Sequence, residues 1–150
     1  MKKNVVKILT TILLVFSVFA LTTNSASASV LITNYSGTTE ANTANVIKEY
    51  HHFYSSKENI NVKFKVNQFI KTHNVKQVEV EVQKSNGFFW TTKATKTVSN
   101  TTQVNFNVGG GPGDYRIVVY DTPEKTSSYD RPPFYFAKST SYSGSVTGLE

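Results

Sequence analysis

From Ile60 to Asn67 the chain changes side at every residue: Ile60, Val62, Phe64 and Val66 share one parity, and Asn61, Lys63, Lys65 and Asn67 the other. A β-strand buried on one face has this period, and a helix does not, so the stretch limits the fold class before any other feature is weighed. A second alternating run follows, with Val78, Val80 and Val82 on one face and Glu79 and Glu81 on the other. Pairing the two runs about Thr72 sets Phe64 opposite Val80 and Val66 opposite Val78. It also sets Lys65 opposite Glu79 and Lys63 opposite Glu81, so apolar and charged positions agree on one predicted register.

The strand signals continue. Asn86-Gly87 is a strong hairpin dipeptide, and it leads into Phe88-Phe89-Trp90 and a Thr-rich strand ending near Val98. Ser99 to Thr102 make the next turn. Val104, Phe106 and Val108 then alternate with Asn105 and Asn107, until Gly109-Gly110-Gly111-Pro112-Gly113 stops the strand. Tyr115 to Tyr120 is apolar on both faces, as a strand central to its sheet would be. Asp121 to Pro133 reads as a polar loop, and Phe134 to Ala137 as the last clear strand, with Pro132 and Pro133 at its start. Across residues 39–57, Ile47, Tyr50 and Tyr54 have helical spacing while Tyr50, Phe53 and Tyr54 suit an edge strand; the reading leans to one short helix or an irregular crossover. The expected fold is all-β: a single antiparallel β-sandwich of about seven strands.

The N-terminus is a different kind of segment. Lys2 and Lys3 precede an almost wholly apolar run from Ile8 to Leu21, followed by small and polar residues and Ala26-Ser27-Ala28. This is the layout of a secretory signal peptide, 1–28, with cleavage expected between Ala28 and Ser29. The apolar run is shorter than the ~20 residues a spanning helix needs. The remaining chain divides into 29–59, an N-terminal strand and crossover segment; 60–138, the sandwich core; and 139–150, a Ser-, Thr- and Gly-rich tail expected to fray.

Cleavage removes Lys2, Lys3 and Lys7, which leaves 13 of the 16 basic residues against 10 acidic ones, a net charge of +3 rather than +6. The chain has no cysteine, so a secreted product must be held by its core rather than by disulfides. Eight Tyr, one Trp and most of the ten Phe lie beyond the signal segment and can supply that core.

Gly113-Asp114-Tyr115-Arg116-Ile117 resembles the tyrosine corner of immunoglobulin-like and fibronectin type III-like sandwiches, in which a Tyr opening the penultimate strand bonds back to the preceding connection. With Phe106 on the strand before it and the following Ile-Val-Val-Tyr-Asp, the resemblance spans roughly residues 60–137 and implies an immunoglobulin-like sandwich. It assigns structural roles to Tyr115 and Gly113; Gly87 has one from its turn. The chain is also similar to small exported proteins of Bacillus-type bacteria, which implies a location and a fold but no activity.

No catalytic constellation assembles from the sequence. His51 and His52 are adjacent and diverge in either secondary structure, His73 sits in a turn, and no metal-ligand spacing appears, so neither a metal nor a cofactor is expected. Serines are plentiful but none lies in a nucleophile elbow. For the carboxylate pairs Glu79 with Glu81 and Asp114 with Asp121 the sequence pattern provides none of the burial that perturbed acids need, so both pairs are expected to be structural. The Gly109–Gly113 loop leads into a strand and not a helix, which argues against a phosphate cradle.

Aromatic excess is the stronger signal. Phe88, Phe89 and Trp90 cannot all point into a two-layer core, and they stand with Tyr120 and Arg131 as candidate ligand contacts. Lys63, Lys65, Lys71, Lys76, Lys93 and Lys96 form a candidate basic patch, but the glutamates expected opposite them and the small net charge argue against a nucleic-acid partner. The function expected is a secreted, non-enzymatic binding domain near the cell envelope, its partner a cell-wall polymer or another extracellular protein, with membrane contact only transient during export. A membrane-active effector and a wall-polymer hydrolase are the alternatives.

Overall fold

The structure is a computed structural model and describes residues 29–42, 45–72, 75–122, 124–125 and 135–149. Residues 1–28, expected from the sequence to be a signal peptide, and His73, Arg131, Pro132 and Pro133 lie outside the described residues. In chain order the strands are β1 (Val30–Asn42), β2 (Asn45–Val46), β3 (Lys48–Ser55), β4 (Asn59–Lys71), β5 (Val78–Ser85), β6 (Trp90–Val98), β7 (Val104–Gly109), β8 (Gly113–Tyr120), β9 (Glu124–Lys125), β10 (Tyr135–Phe136) and β11 (Lys138–Leu149).

They form two antiparallel sheets, ordered β2-β1-β11-β4-β7 and β3-β8-β5-β6, with β9 and β10 as a separate small pair. The alternation of β4 places Ile60, Val62, Phe64 and Val66 inward from the first sheet, joined by Tyr35, Tyr142, Val146, Phe106 and Val108. The second sheet answers with Val78, Val80, Val82, Val98, Tyr115, Ile117 and Val119. This is the two-layer, all-β, immunoglobulin-like sandwich architecture expected, with one oily interior between the layers. Within that architecture the long strands follow the jelly-roll order, in which successive strands mostly alternate between the sheets and the first and last strands lie side by side.

Four expectations are corrected. First, β4 and β5 are not a hairpin. β4 pairs with β11 and β7, and β5 with β6 and β8, so the two strands lie in different sheets. Their valines are in phase because they meet across the core and not side by side. Apolar periodicity reports only which face is buried, and it is the same for both arrangements. The pairs Lys65–Glu79 and Lys63–Glu81 therefore do not form.

Second, residues 39–57 contain no helix among the described residues; they carry the end of β1, then β2 and β3. Along β3, Glu49, His51 and Phe53 are half-buried and Tyr50, His52 and Tyr54 exposed, so the helical spacing of Tyr50 and Tyr54 is equally two strides along one strand face. Third, the residues expected to fray form β11, which is hydrogen-bonded along both edges, to β1 and to β4. Its inward parity is Thr140, Tyr142, Gly144, Val146 and Gly148, and two glycines at core positions conceal the period. Fourth, Phe88 and Phe89 precede the strand; β6 begins at Trp90, paired with Ser85.

Other readings hold. β8 is a central strand between β3 and β5 with Ile117, Val118 and Val119 all buried. The Asn86-Gly87 turn does join β5 to β6, with Gly87 at φ 94°, a conformation that favours glycine.

Candidate binding face

Alternation along β3, β8, β5 and β6 sets one residue of every pair on the outward face of the second sheet. Register aligns these outward residues in rows across the strands. One row runs His52, Arg116, Gln83 and Thr92; the next runs Tyr50, Val118, Glu81 and Thr95; a third runs Lys48, Tyr120, Glu79 and Thr97. Trp90, at the start of β6, folds back over the first row. Its indole lies 4.3 Å from the Arg116 guanidinium and meets the His52 ring edge-on at 5.2 Å. Tyr50 stands 4.6 Å from the same guanidinium, and Arg116 Nε donates to Gln83 Oε1 at 2.8 Å. The cation is thus held between two aromatic rings and aimed by an amide, contacts worth about 0.5–1 kcal/mol each at a partly exposed site.

Glu81 ties this row to its neighbours. It accepts from Gln83 Nε2 at 2.7 Å through one carboxylate oxygen and from the Tyr120 hydroxyl at 2.8 Å through the other. Burial first, then that bond and the charges of Glu81 and Glu79, push the Tyr120 phenol up to about 12. Lys48 sits over the Tyr120 ring at 4.4 Å, and the Thr97 hydroxyl donates to Glu79 at 2.7 Å. Val118 points to this outward face yet is fully buried beneath the roof of side chains. A shallow depression of about 380 Å³, lined by His52, Trp90, Ser85 and Asp114 among others, opens beside the Arg116 cluster.

Phe88 and Phe89 lie beyond this face, at the tip of the β5–β6 hairpin, 91% and 74% exposed. Their turn is braced: Asn86 Oδ1 accepts from the Phe88 and Phe89 amides at 3.1 and 2.8 Å, and Ser85 Oγ accepts from Gly87 at 3.0 Å. Lys84, at the base of the hairpin, donates to the carbonyls of Gly110 and Gly111. The hairpin and the Gly109–Gly113 loop, both expected as contact regions, are therefore held at one end of the sandwich. Tyr115 closes the same loop as the tyrosine corner implies: its hydroxyl donates to Gly111 O at 2.6 Å and its ring stacks on Phe53. Gly113 opens β8 opposite Ser55, with the Lys84 stem 2.8 Å from where a Cβ would stand.

Of the expected contacts, Trp90 and Tyr120 share the outward face, Phe88 and Phe89 stand at its end, and Arg131 lies outside the described residues. Sequence reasoning missed Tyr50, His52, Gln83 and Arg116. The parity of β8 puts Arg116 and Tyr120 on one face, but nothing local identifies β3 as the strand beside it.

His51 turns the other way, as adjacent strand residues must, and shares a 2.6 Å hydrogen bond with the Tyr142 hydroxyl at the open edge between β1 and β3. Burial lowers the His51 pKa and raises those of Tyr35 and Tyr142. All three are thereby kept neutral, which suits packing within a wall of the core. Among the described residues no cluster of three or more His, Cys, Asp or Glu is placed to hold a metal ion. Comparison with protein-family models and with curated proteins found no match.

Proposed function

We propose that the chain is a secreted, non-enzymatic binding domain acting at the cell envelope, and that it takes a glycan chain on the outward face of the β3-β8-β5-β6 sheet. The signal-peptide pattern at the N-terminus supports the location. The observation that carries the binding reading is the Arg116 cluster, a guanidinium between Tyr50 and Trp90 with its orientation fixed by Gln83. Half-exposed rings offer a sugar an apolar surface, and Glu81, Gln83 and Asp114 beside them offer acceptors and donors for hydroxyls. Because Glu81, Gln83 and Arg116 are already hydrogen-bonded in series, little of their side-chain freedom is lost on binding.

Trp90 is the sole tryptophan, so its emission reports on this face directly. Titration of the mature domain with purified envelope polysaccharide should shift Trp90 fluorescence saturably, and Tyr50→Ala should abolish the shift while the circular-dichroism spectrum stays that of a β-protein. An unchanged emission at saturating polysaccharide would remove the assignment.

A second reading, a membrane-active effector, draws on Phe88 and Phe89 at the hairpin tip. Dye release from anionic vesicles that is lost in Phe88→Ser with Phe89→Ser would favour it over the first. The tyrosine corner supports a relationship to immunoglobulin- and fibronectin-type sandwiches, whereas the strand order supports the jelly-roll class. The binding proposal depends on neither, since one sandwich scaffold serves many functions.

A further inference from the structure

The placement of β4 and β5 in different sheets separates charges that the register predicted from sequence sets opposite each other. Glu79 and Glu81 face outward from the second sheet, while Lys63 and Lys65 face outward from the first, on the opposite side of the molecule. The neighbours that Lys63 and Lys65 do have are uncharged: Ser145 and Asn105 flank Lys63, and Ser143 flanks Lys65. Through the middle of this face the outward positions of β1, β11, β4 and β7 hold only Ser, Thr, Asn and the two lysines. The first carboxylate along β1 is Glu40, beyond Thr38 near the strand's end.

We infer that this face is a second binding surface, for an extended phosphodiester polymer that carries no bases. Lys63 and Lys65 lie two residues apart on one strand face, about 6.7 Å along it, so both ammonium groups can meet successive anions of one chain. Lysine binds phosphate as a mobile point charge, with no bidentate geometry to satisfy. A groove of about 200 Å³ lies beside the lysines, lined by Asn34, Gln103, Ser143 and Ser145 among others, whose hydroxyls and amides can hydrogen-bond phosphate oxygens or hydroxyls between them. Outward from the middle of this face no aromatic side chain projects, and single-stranded nucleic acids are held largely by stacking bases on such rings, so the arrangement favours a polymer without bases.

The test uses the mature domain and a synthetic poly(glycerol phosphate), with binding measured by calorimetry at several salt concentrations. Wild type should bind at low salt, and log K should fall with log salt by about 0.7 for each lysine engaged. Lys63→Gln with Lys65→Gln should weaken binding roughly tenfold or more and flatten that slope, whereas Lys93→Gln with Lys96→Gln on β6 should leave both unchanged. Equal weakening by the two double variants would reduce the effect to net charge and overturn the site. Absence of wild-type binding at low salt would overturn it too. Tighter, equally Lys63- and Lys65-dependent binding of a single-stranded oligonucleotide would reassign the face to nucleic acid. The Trp90 emission that tests the aromatic face should not respond to this polymer, so the two readings fail independently.

Discussion

Tyr35 on β1 fills the space that Gly144 leaves open opposite it on β11, and from there its hydroxyl reaches across to donate to Lys63 O on β4 at 2.9 Å. The arrangement is repeated in reverse two residues away, where Gly37 on β1 lies opposite Tyr142 on β11 and receives its ring. The chain thus contains Tyr-Ser-Gly twice, at 35–37 and 142–144, paired antiparallel about Ser36 and Ser143. Each tyrosine covers the other strand's glycine, so the sheet keeps an apolar inner surface at two positions that have no side chain of their own.

Gly144→Ala should therefore destabilise severely. A methyl there collides with the Lys63 carbonyl and the Tyr35 ring, and neither can yield without breaking a β4–β11 pairing or the Tyr35 bond. Urea unfolding should show a loss of about 2–3 kcal/mol, the upper part of the overpacking range. Gly37→Ala should cost less, since the nearest atom, 2.6 Å away, is the hydroxyl end of Tyr142.

Arg116→Ala should release the indole of Trp90 from the sheet. The expected result is a red-shifted Trp90 emission and a stability loss of about 1 kcal/mol, with Arg116→Lys intermediate because the ammonium cannot stack as a plane. An emission spectrum identical to wild type would show that the guanidinium does not hold the ring.

Tyr115→Phe keeps the stack on Phe53 but removes the bond to Gly111 O. A cost of about 1 kcal/mol is expected, read from the midpoint of urea unfolding. Amide exchange should quicken in the Gly109–Gly113 loop more than elsewhere.

Asp121, which the sequence pattern left without expected burial, is in fact fully buried just past the end of β8, where it accepts hydroxyl bonds from Thr39 at 2.6 Å and Thr140 at 3.1 Å. Burial is the largest influence and raises its pKa; the two threonine bonds and the Lys138 charge oppose it without cancelling it. A carboxyl with a raised folded-state pKa binds its proton more tightly when folded. Its stabilising contribution is full below the ordinary value of 3.8 and is lost as pH rises through the folded-state value. The stability of wild type relative to Asp121→Asn should accordingly be greatest in acid and decline from about pH 4 upward. A difference that instead grew with pH would mean that the carboxylate, and not the acid, is the better-accommodated form.

The layers of this fold were legible in the sequence wherever the inward positions carry large apolar side chains, as in β4, β5, β7 and β8. Pairing was legible only at Asn86-Gly87, where the turn chemistry is local. In a jelly-roll order most partners are distant in the chain, and nothing between Thr72 and Gln77 tells a tight turn from a crossing between sheets. β11 was hidden for another reason: its core positions at Gly144 and Gly148 are occupied by side chains from elsewhere, by Tyr35 and by the stem of Lys57. The binding face was half legible. Trp90 and Tyr120 announced themselves by composition, whereas Arg116 became meaningful only once β3 was seen beside β8.

The lateral union of β1 with β11 joins the beginning of the domain to its end, Val30 lying opposite Gly148. A chain that emerges N-terminus first has no partner for either edge of β4 until β7 and then β11 arrive, so the first sheet can close only once β11 is free. Loss of β11 would accordingly do more than trim one strand; it would withdraw the plank on which both β1 and β4 rest.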